Sequence, residues 1–186
     1  KDMKRSFIVA ALLILMSLSA SAQKTQQNYV IGFYNLENLF DIYDDPVKND
    51  NEFLPEGKNK WTQAKYEKKL HNMAKVIRSM ADNNKRWHTI LGISEIENRL
   101  VIEDLVSQPE IADANYEIVH YDSPDRRGVD VALLYKPDQF TYLDSESIPF
   151  DFNSDIDFSD TDTSYFKTRD ILMVHGLIAG EHFAFY

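Results

Sequence analysis

Apolar positions along the chain fall into short β-branched and aromatic runs, interrupted by one long stripe of helical period. Tyr29 to Tyr34 (YVIGFY) predicts a strand, with Asn35 to Phe40 (NLENLF) at its C-terminal end. Asp41 to Lys60 is polar, holds Pro46, Pro55 and Gly57, and reads as a loop. Thr62 can cap the next element, in which Tyr66, Leu70, Met73, Ile77 and Met80 recur three and four residues apart. That spacing predicts an amphipathic helix packed on its own domain, with Lys65, Lys68, Lys69 and Lys75 largely off the stripe. Thr89 to Ile93 (TILGI) predicts a buried strand, and Leu100 to Val106 a short helix ended by Pro109. Tyr116 to His120 and Val129 to Tyr135 predict two more strands across a turn at Ser123 to Gly128. Lys136-Pro137-Asp138 is a turn, after which Phe140 to Leu143 is expected to pair back as an edge strand. Ile171 to Leu177 and His182 to Tyr186 predict strands joined by Ala179-Gly180-Glu181.

Strand, helix, strand, helix and then mostly strands is the order of a layered α/β domain. The last predicted strand runs into Tyr186 with aromatic residues on it, so the sequence is expected to be C-terminally truncated. Its other end carries a different signal. Lys4 and Arg5 precede an almost wholly apolar run from Phe7 to Leu18, and Ala20-Ser21-Ala22 follows. This is the pattern of a signal peptide over residues 1–22, cleaved before Gln23, with Lys1 and Asp2 as non-native residues ahead of Met3. The run is short for a membrane span, and an uncleaved anchor is the alternative. No Cys follows the small residues to carry a lipid. The expected location is extracytoplasmic, secreted or periplasmic, with no stable membrane insertion after cleavage, and residues 23–186 form part of one domain.

With 186 residues, 44% hydrophobic and 27% charged, the chain can bury a core and is not compositionally disordered. Its net charge is −10. Removing the leader takes away Lys1, Lys4, Arg5 and Asp2, leaving 17 basic and 29 acidic residues and a net of −12. That balance opposes non-specific phosphate binding, so a phosphate substrate would need a local device such as a metal ion or a few arginines. With no cysteine, disulfides and thiolate metal sites are excluded.

Two strand ends carry candidate chemistry. Asn35 and Glu37 follow the first predicted strand, and Ser94, Glu95 and Glu97 follow the second. Ligands of layered α/β folds gather at strand C-terminal ends. A carboxylate there is a hard-cation ligand, and a nearby Asn amide can hold a phosphate oxygen or orient a ligand. Solvated carboxylates are the ordinary occupants of such positions. The acidic stretch Asp151 to Asp162 does not fit a calcium loop: read from Asp155, the sixth and twelfth positions are Asp160 and Phe166 rather than Gly and Glu. No phosphate-cradling glycine loop, nucleophile elbow or zinc-helix motif is present.

Four strings together resemble the endonuclease/exonuclease/phosphatase family, whose fold is deoxyribonuclease I-like. Tyr34-Asn35-Leu36-Glu37-Asn38-Leu39-Phe40 is similar to its opening motif. Ile90 to Asn98 (ILGISEIEN) is similar to its second, a hydrophobic strand ending in a metal-binding glutamate. Arg127 to Tyr135 and Thr168 to Leu172 resemble the next two strands, in family order. The resemblance implies a layered α-β-β-α sandwich and a metal-dependent phosphodiester hydrolase. A nuclease on nucleic acid is favoured, with a phosphatase, a phospholipid-headgroup phosphodiesterase or a non-catalytic binding domain as alternatives. It implies Mg²⁺, or Mn²⁺ or Ca²⁺, at Glu95 and Asn35, which would be the catalytic residues of this segment. Arg127 and Arg169, in matched segments, would face the substrate or form exposed ion pairs. Glu37 and Glu97 stand two residues from the matched positions and, on a continuing strand, would share a face with them. The family's catalytic histidine, its Asp/Asn pair and its final Asp-His pair would lie beyond Tyr186. His71, His88, His120, His175 and His182 match none of them, so this segment is expected to supply the metal side only and to be inactive alone.

Overall fold

A computed structural model describes residues 27–150 and 168–186. The expected leader and the stretch from Asp151 to Asp162 lie outside the described residues. In chain order the elements are β1 (Ile31–Leu39), α1 (Gln63–Asn84), β2 (Ile90–Ile96), α2 (Arg99–Val106), β3 (Glu117–His120), β4 (Asp130–Tyr135), β5 (Thr141–Ile148), β6 (Ile171–Ile178) and β7 (Glu181–Phe185). Short 3-10 turns lie at Asn51–Phe53 and Ala112–Ala114.

The strands form two sheets, ordered β1-β2-β4-β3 and β5-β6-β7. β1 and β2 are parallel, and every other pair is antiparallel. A parallel pair needs a long crossover, which α1 provides. α1 buries Tyr66, Leu70, Ala74, Ile77 and Ala81 against the first sheet, so the predicted stripe is the packing face. Thr62 is its N-cap, but through its carbonyl, which accepts from the Lys65 and Tyr66 N–H groups; its side chain makes no capping bond. α2 is capped by Asn98, whose Oδ1 accepts from the Val101 N–H, and buries Val101, Ile102 and Leu105 in the same layer.

The opposite face of the first sheet packs on the second sheet through Ile90, Val119, Leu133, Phe140, Val174 and Ile178. The described layers are therefore helix, sheet, sheet, which is a mixed α/β sandwich. One expected pairing is corrected. The stretch from Phe140 to Leu143 does lead into an edge strand, but not one paired back on β4: β5 runs on to Ile148 and forms the edge of the second sheet against β6. The cause is local. Phe140 is buried over Gly176 of β6, where an added Cβ would stand 2.2 Å from the phenyl Cζ. A glycine leaves room for the ring to cross there, at the point where the chain enters β5. Among the described residues, no helix is long and apolar enough to cross a membrane.

Candidate functional site

The candidate residues meet where β1 and β2 end. The two strands run in register from Ile31↔Ile90 to Asn35↔Ser94, and the register then shifts before Leu39↔Ile96. On its other side, β2 shifts register against β4 between Ser94 and Ile96, leaving Glu95 as the extra residue of a bulge. Glu95 takes φ 58°, and Glu37 and Asn38 in the tail of β1 take φ 51° and 60°. Non-glycine residues in this left-handed region are uncommon, and three of them at two neighbouring strand ends mark a locally strained rim.

β1 is longer than predicted and carries Asn35 and Glu37 within it. Leu36 is buried in the helix-side core, and the Tyr34 hydroxyl meets Met73 Sδ on α1. Asn35, between them, faces the other way. Its Oδ1 accepts from the Glu37 N–H at 2.7 Å, which leaves its amide nitrogen as a donor. Ser94, its register partner, stands next to Glu95, so the structure brings Asn35 and Glu95 to adjacent strand tails. The Glu37 and Glu95 carboxylates make no hydrogen bond or ion pair with protein among the described residues. Lys69 of α1 donates to the carbonyls of Glu37 and Asn38. Burial lowers the pKa of its ammonium, while Glu37 and Glu95 pull it back up.

Glu97 departs from expectation. The bulge at Glu95 breaks the strand period, and Glu97 does not share an open face with it. Glu97 is buried, and its Oε2 accepts from the Asp41 N–H at 2.7 Å. Its own N–H donates to Leu39 O, so the segments following β1 and β2 are tied together. Burial pushes the Glu97 pKa up to about 8; the Asp41 N–H opposes this, and Asp41, Asp50 and Asp45 add to it. Asp41 also accepts from Asn98 Nδ2, and the group forms a buried acidic brace behind the rim.

The turn between β3 and β4 lies at the same end of the sheet, because Asp130 is the register partner of Ile96. It is held by Lys48, which donates to Ser123 O at 2.8 Å, and by a bond from Asn49 N–H to Arg126 O. Gly128, at φ 71°, closes it. Asp130 Oδ1 accepts from the Ser123 N–H and hydroxyl, and its Oδ2 lies 3.1 Å from His120 Nε2. Asp122 joins these two in a group whose potential ligand atoms lie within 4.8 Å of one another. Arg127 is exposed, 3.6 Å from Asp125. Arg169 precedes β6 with its Nη1 buried and unpartnered, next to Asp170, which accepts from Ser147. Among the described residues, neither arginine bonds to Asn35 or Glu95.

The sequence matches the model of the Endonuclease/Exonuclease/phosphatase family over residues 30–186. The chain belongs to that family. No curated protein matches it. It is similar to the endonuclease/exonuclease/phosphatase from Bacteroides vulgatus, with 16% identity and TM-score 0.47, covering 86% of this chain and 51% of that one. It is also similar to the Bacteroides thetaiotaomicron mannosyl-6-phosphatase, with 13% identity and TM-score 0.46 over 84% and 49%. A third similar structure is D. rerio TDP2 complexed with single-strand DNA product, at 15% identity and TM-score 0.39 over 62% and 37%. The chain thus spans about half or less of these structures.

For this family member, the donors at the β1 and β2 tails fit a hard divalent cation. They are carboxylate and amide oxygens, with the Glu37 and Glu95 carboxylates unbonded among the described residues and no cysteine in the sequence. The His120, Asp122 and Asp130 group is a second set of metal-type donors nearby. Lys69 stands off the helical stripe, and its only sequence signal is its place next to Leu70 and three residues from Tyr66. His120 and Asp130 are ten residues apart and meet through the β3–β4 hairpin, which no local pattern in the sequence shows.

Proposed function

We propose that the protein is an exported, metal-dependent phosphodiester hydrolase, with a nuclease as the favoured kind and a cation held by Glu95 and Asn35. The observation that carries this reading is the register Asn35↔Ser94, which sets Asn35 beside Glu95 on parallel strand tails in a chain of this family. Mg²⁺ suits the donor set, and Mn²⁺ or Ca²⁺ can replace it. The bound cation would neutralise phosphate charge and polarise the P–O bond. Glu95 would hold it from the bulge, and Glu37, across the rim, would add negative charge. The Asn35 Oδ1, which accepts one bond from the Glu37 N–H, would turn its second lone pair to the cation, and the amide N–H would donate to a non-bridging phosphate oxygen. Arg127 and Arg169 would meet more distant parts of the substrate.

A second reading, hydrolysis of small phosphate monoesters, is favoured by the net charge of −10, which repels long polyanions. Export rests on the Lys4 to Ala22 pattern and is tested by N-terminal sequencing of the secreted protein, which should begin at Gln23. The activity is tested on the whole protein with plasmid DNA, bis-p-nitrophenyl phosphate and p-nitrophenyl phosphate. Cleavage of the diesters that EDTA abolishes and Mg²⁺ restores supports the first reading. Turnover of the monoester alone supports the second, and EDTA-resistant turnover overturns the metal role.

A further inference from the structure

We propose that Lys69 is a positioning residue of the cation site, locking the β1 tail in the left-handed form that aims Asn35 and Glu37. The proposal rests on the reading that Asn35 and Glu95 hold a cation. In an extended strand, successive carbonyls point to opposite sides. At Glu37 and Asn38 the backbone is left-handed in both residues, and both carbonyls turn to one side and meet the Lys69 ammonium. A side chain accounts for this conformation where no glycine does. The consequence passes one residue further. The Glu37 N–H, fixed by the same turn, donates to Asn35 Oδ1 at 2.7 Å and so holds the side-chain amide in place. The chain of dependence is therefore Lys69, the Glu37–Asn38 backbone, the Glu37 N–H, and the Asn35 side chain.

The ammonium is itself fixed. Lys69 stands three residues after buried Tyr66 and directly before buried Leu70. Its Nζ lies 5.7 Å from the centre of the Trp61 ring, and Trp61 Nε1 in turn donates to Phe40 O at 2.9 Å. Trp61 thus touches both the lysine and the end of the strand that the lysine clamps. A compact ammonium on a long stem suits two convergent carbonyls better than a planar guanidinium does.

The test compares Lys69→Met, which keeps the stem and removes the donors, with Lys69→Arg, which keeps the charge. Three readouts are Mn²⁺ affinity by electron paramagnetic resonance, diester turnover, and hydrogen exchange at the Glu37 amide. For Lys69→Met the proposal expects Mn²⁺ binding weaker by about 10–100-fold, the range for groups that orient metal ligands. It also expects a loss in kcat larger than any rise in KM, and faster exchange at Glu37, with cooperative melting retained. Lys69→Arg should recover part of each. If Lys69→Met does not fold, Lys69→Gln takes its place under the same criteria. A folded variant with wild-type Mn²⁺ affinity, turnover and Glu37 exchange overturns the proposal. Glu95→Gln runs alongside: unchanged Mn²⁺ binding there defeats the cation reading, while Glu37 exchange in Lys69→Met still decides the clamp.

Discussion

Left-handed backbone at Glu37, Asn38 and Glu95 shapes what the rim presents. At Glu95 the bulge adds one residue to β2, turns the carboxylate out of the sheet's alternation and sends Glu97 inward. Asn35 and Glu95 were legible as candidates because a polar residue just after an apolar run marks a strand end. Glu97 was misread because period-two reasoning assumes an unbroken strand, and no residue type near Glu95 announces φ 58°. Lys69 was missed because a helical wheel sorts faces and does not show that a long side chain reaches past the sheet edge. In the whole protein, Glu95→Gln should lower diester turnover by more than about 100-fold, beyond the cost of losing an outer partner, with the fold intact. Wild-type turnover in that variant would remove Glu95 from the site. Glu97 makes a separate prediction. Its folded pKa is raised to about 8, so the proton it holds favours the folded state below the unfolded value, and that contribution is lost as pH rises towards 8. Melting temperature should therefore fall between pH 5 and pH 8.5, and Glu97→Gln, which keeps an acceptor for the Asp41 N–H, should flatten that slope. An equal slope in both proteins would contradict the assignment.

Among the elements, α1 is the clearest match between pattern and packing: Tyr66, Leu70 and Ile77 of the stripe are buried on the sheet, Met73 and Met80 pack partly buried against the same core, and Ala74 and Ala81 complete the face. Leu70→Ala should cost about 2–5 kcal/mol in urea unfolding, through lost burial and the cavity left behind. β5 is where the pattern failed. Phe140 to Leu143 follows β4 after a tight turn, and adjacency favours a hairpin, yet the strand belongs to the other sheet. What decides it is the fit of Phe140 over Gly176, a long-range contact that no local window contains. Gly176→Ala should therefore destabilise by about 1–3 kcal/mol through overpacking, and unchanged stability would show that the ring does not fix the strand.

Over the whole molecule, helices on one face and a second sheet on the other leave the ends of β1 and β2 and the start of β4 on a common rim. The segments following β1, β2 and β3 are tied across that rim by the Glu97, Lys48 and Asn49 bonds. The layered α/β class was readable from element order, and the family from four strings in sequence; the division into two sheets was not, because it depends on which strands pair. An acidic molecule carrying a local cation should bind DNA weakly without metal and more tightly with it. Filter binding of a duplex to Glu95→Gln, with and without Ca²⁺, should show no metal enhancement; an enhancement equal to wild type would place the ion elsewhere. The most direct test is anomalous diffraction from crystals of the protein soaked in Mn²⁺. The account predicts a peak about 2.1–2.3 Å from a Glu95 carboxylate oxygen, on the side of the rim that Asn35 faces. Full occupancy at His120, Asp122 and Asp130 with no density at Glu95 would contradict it.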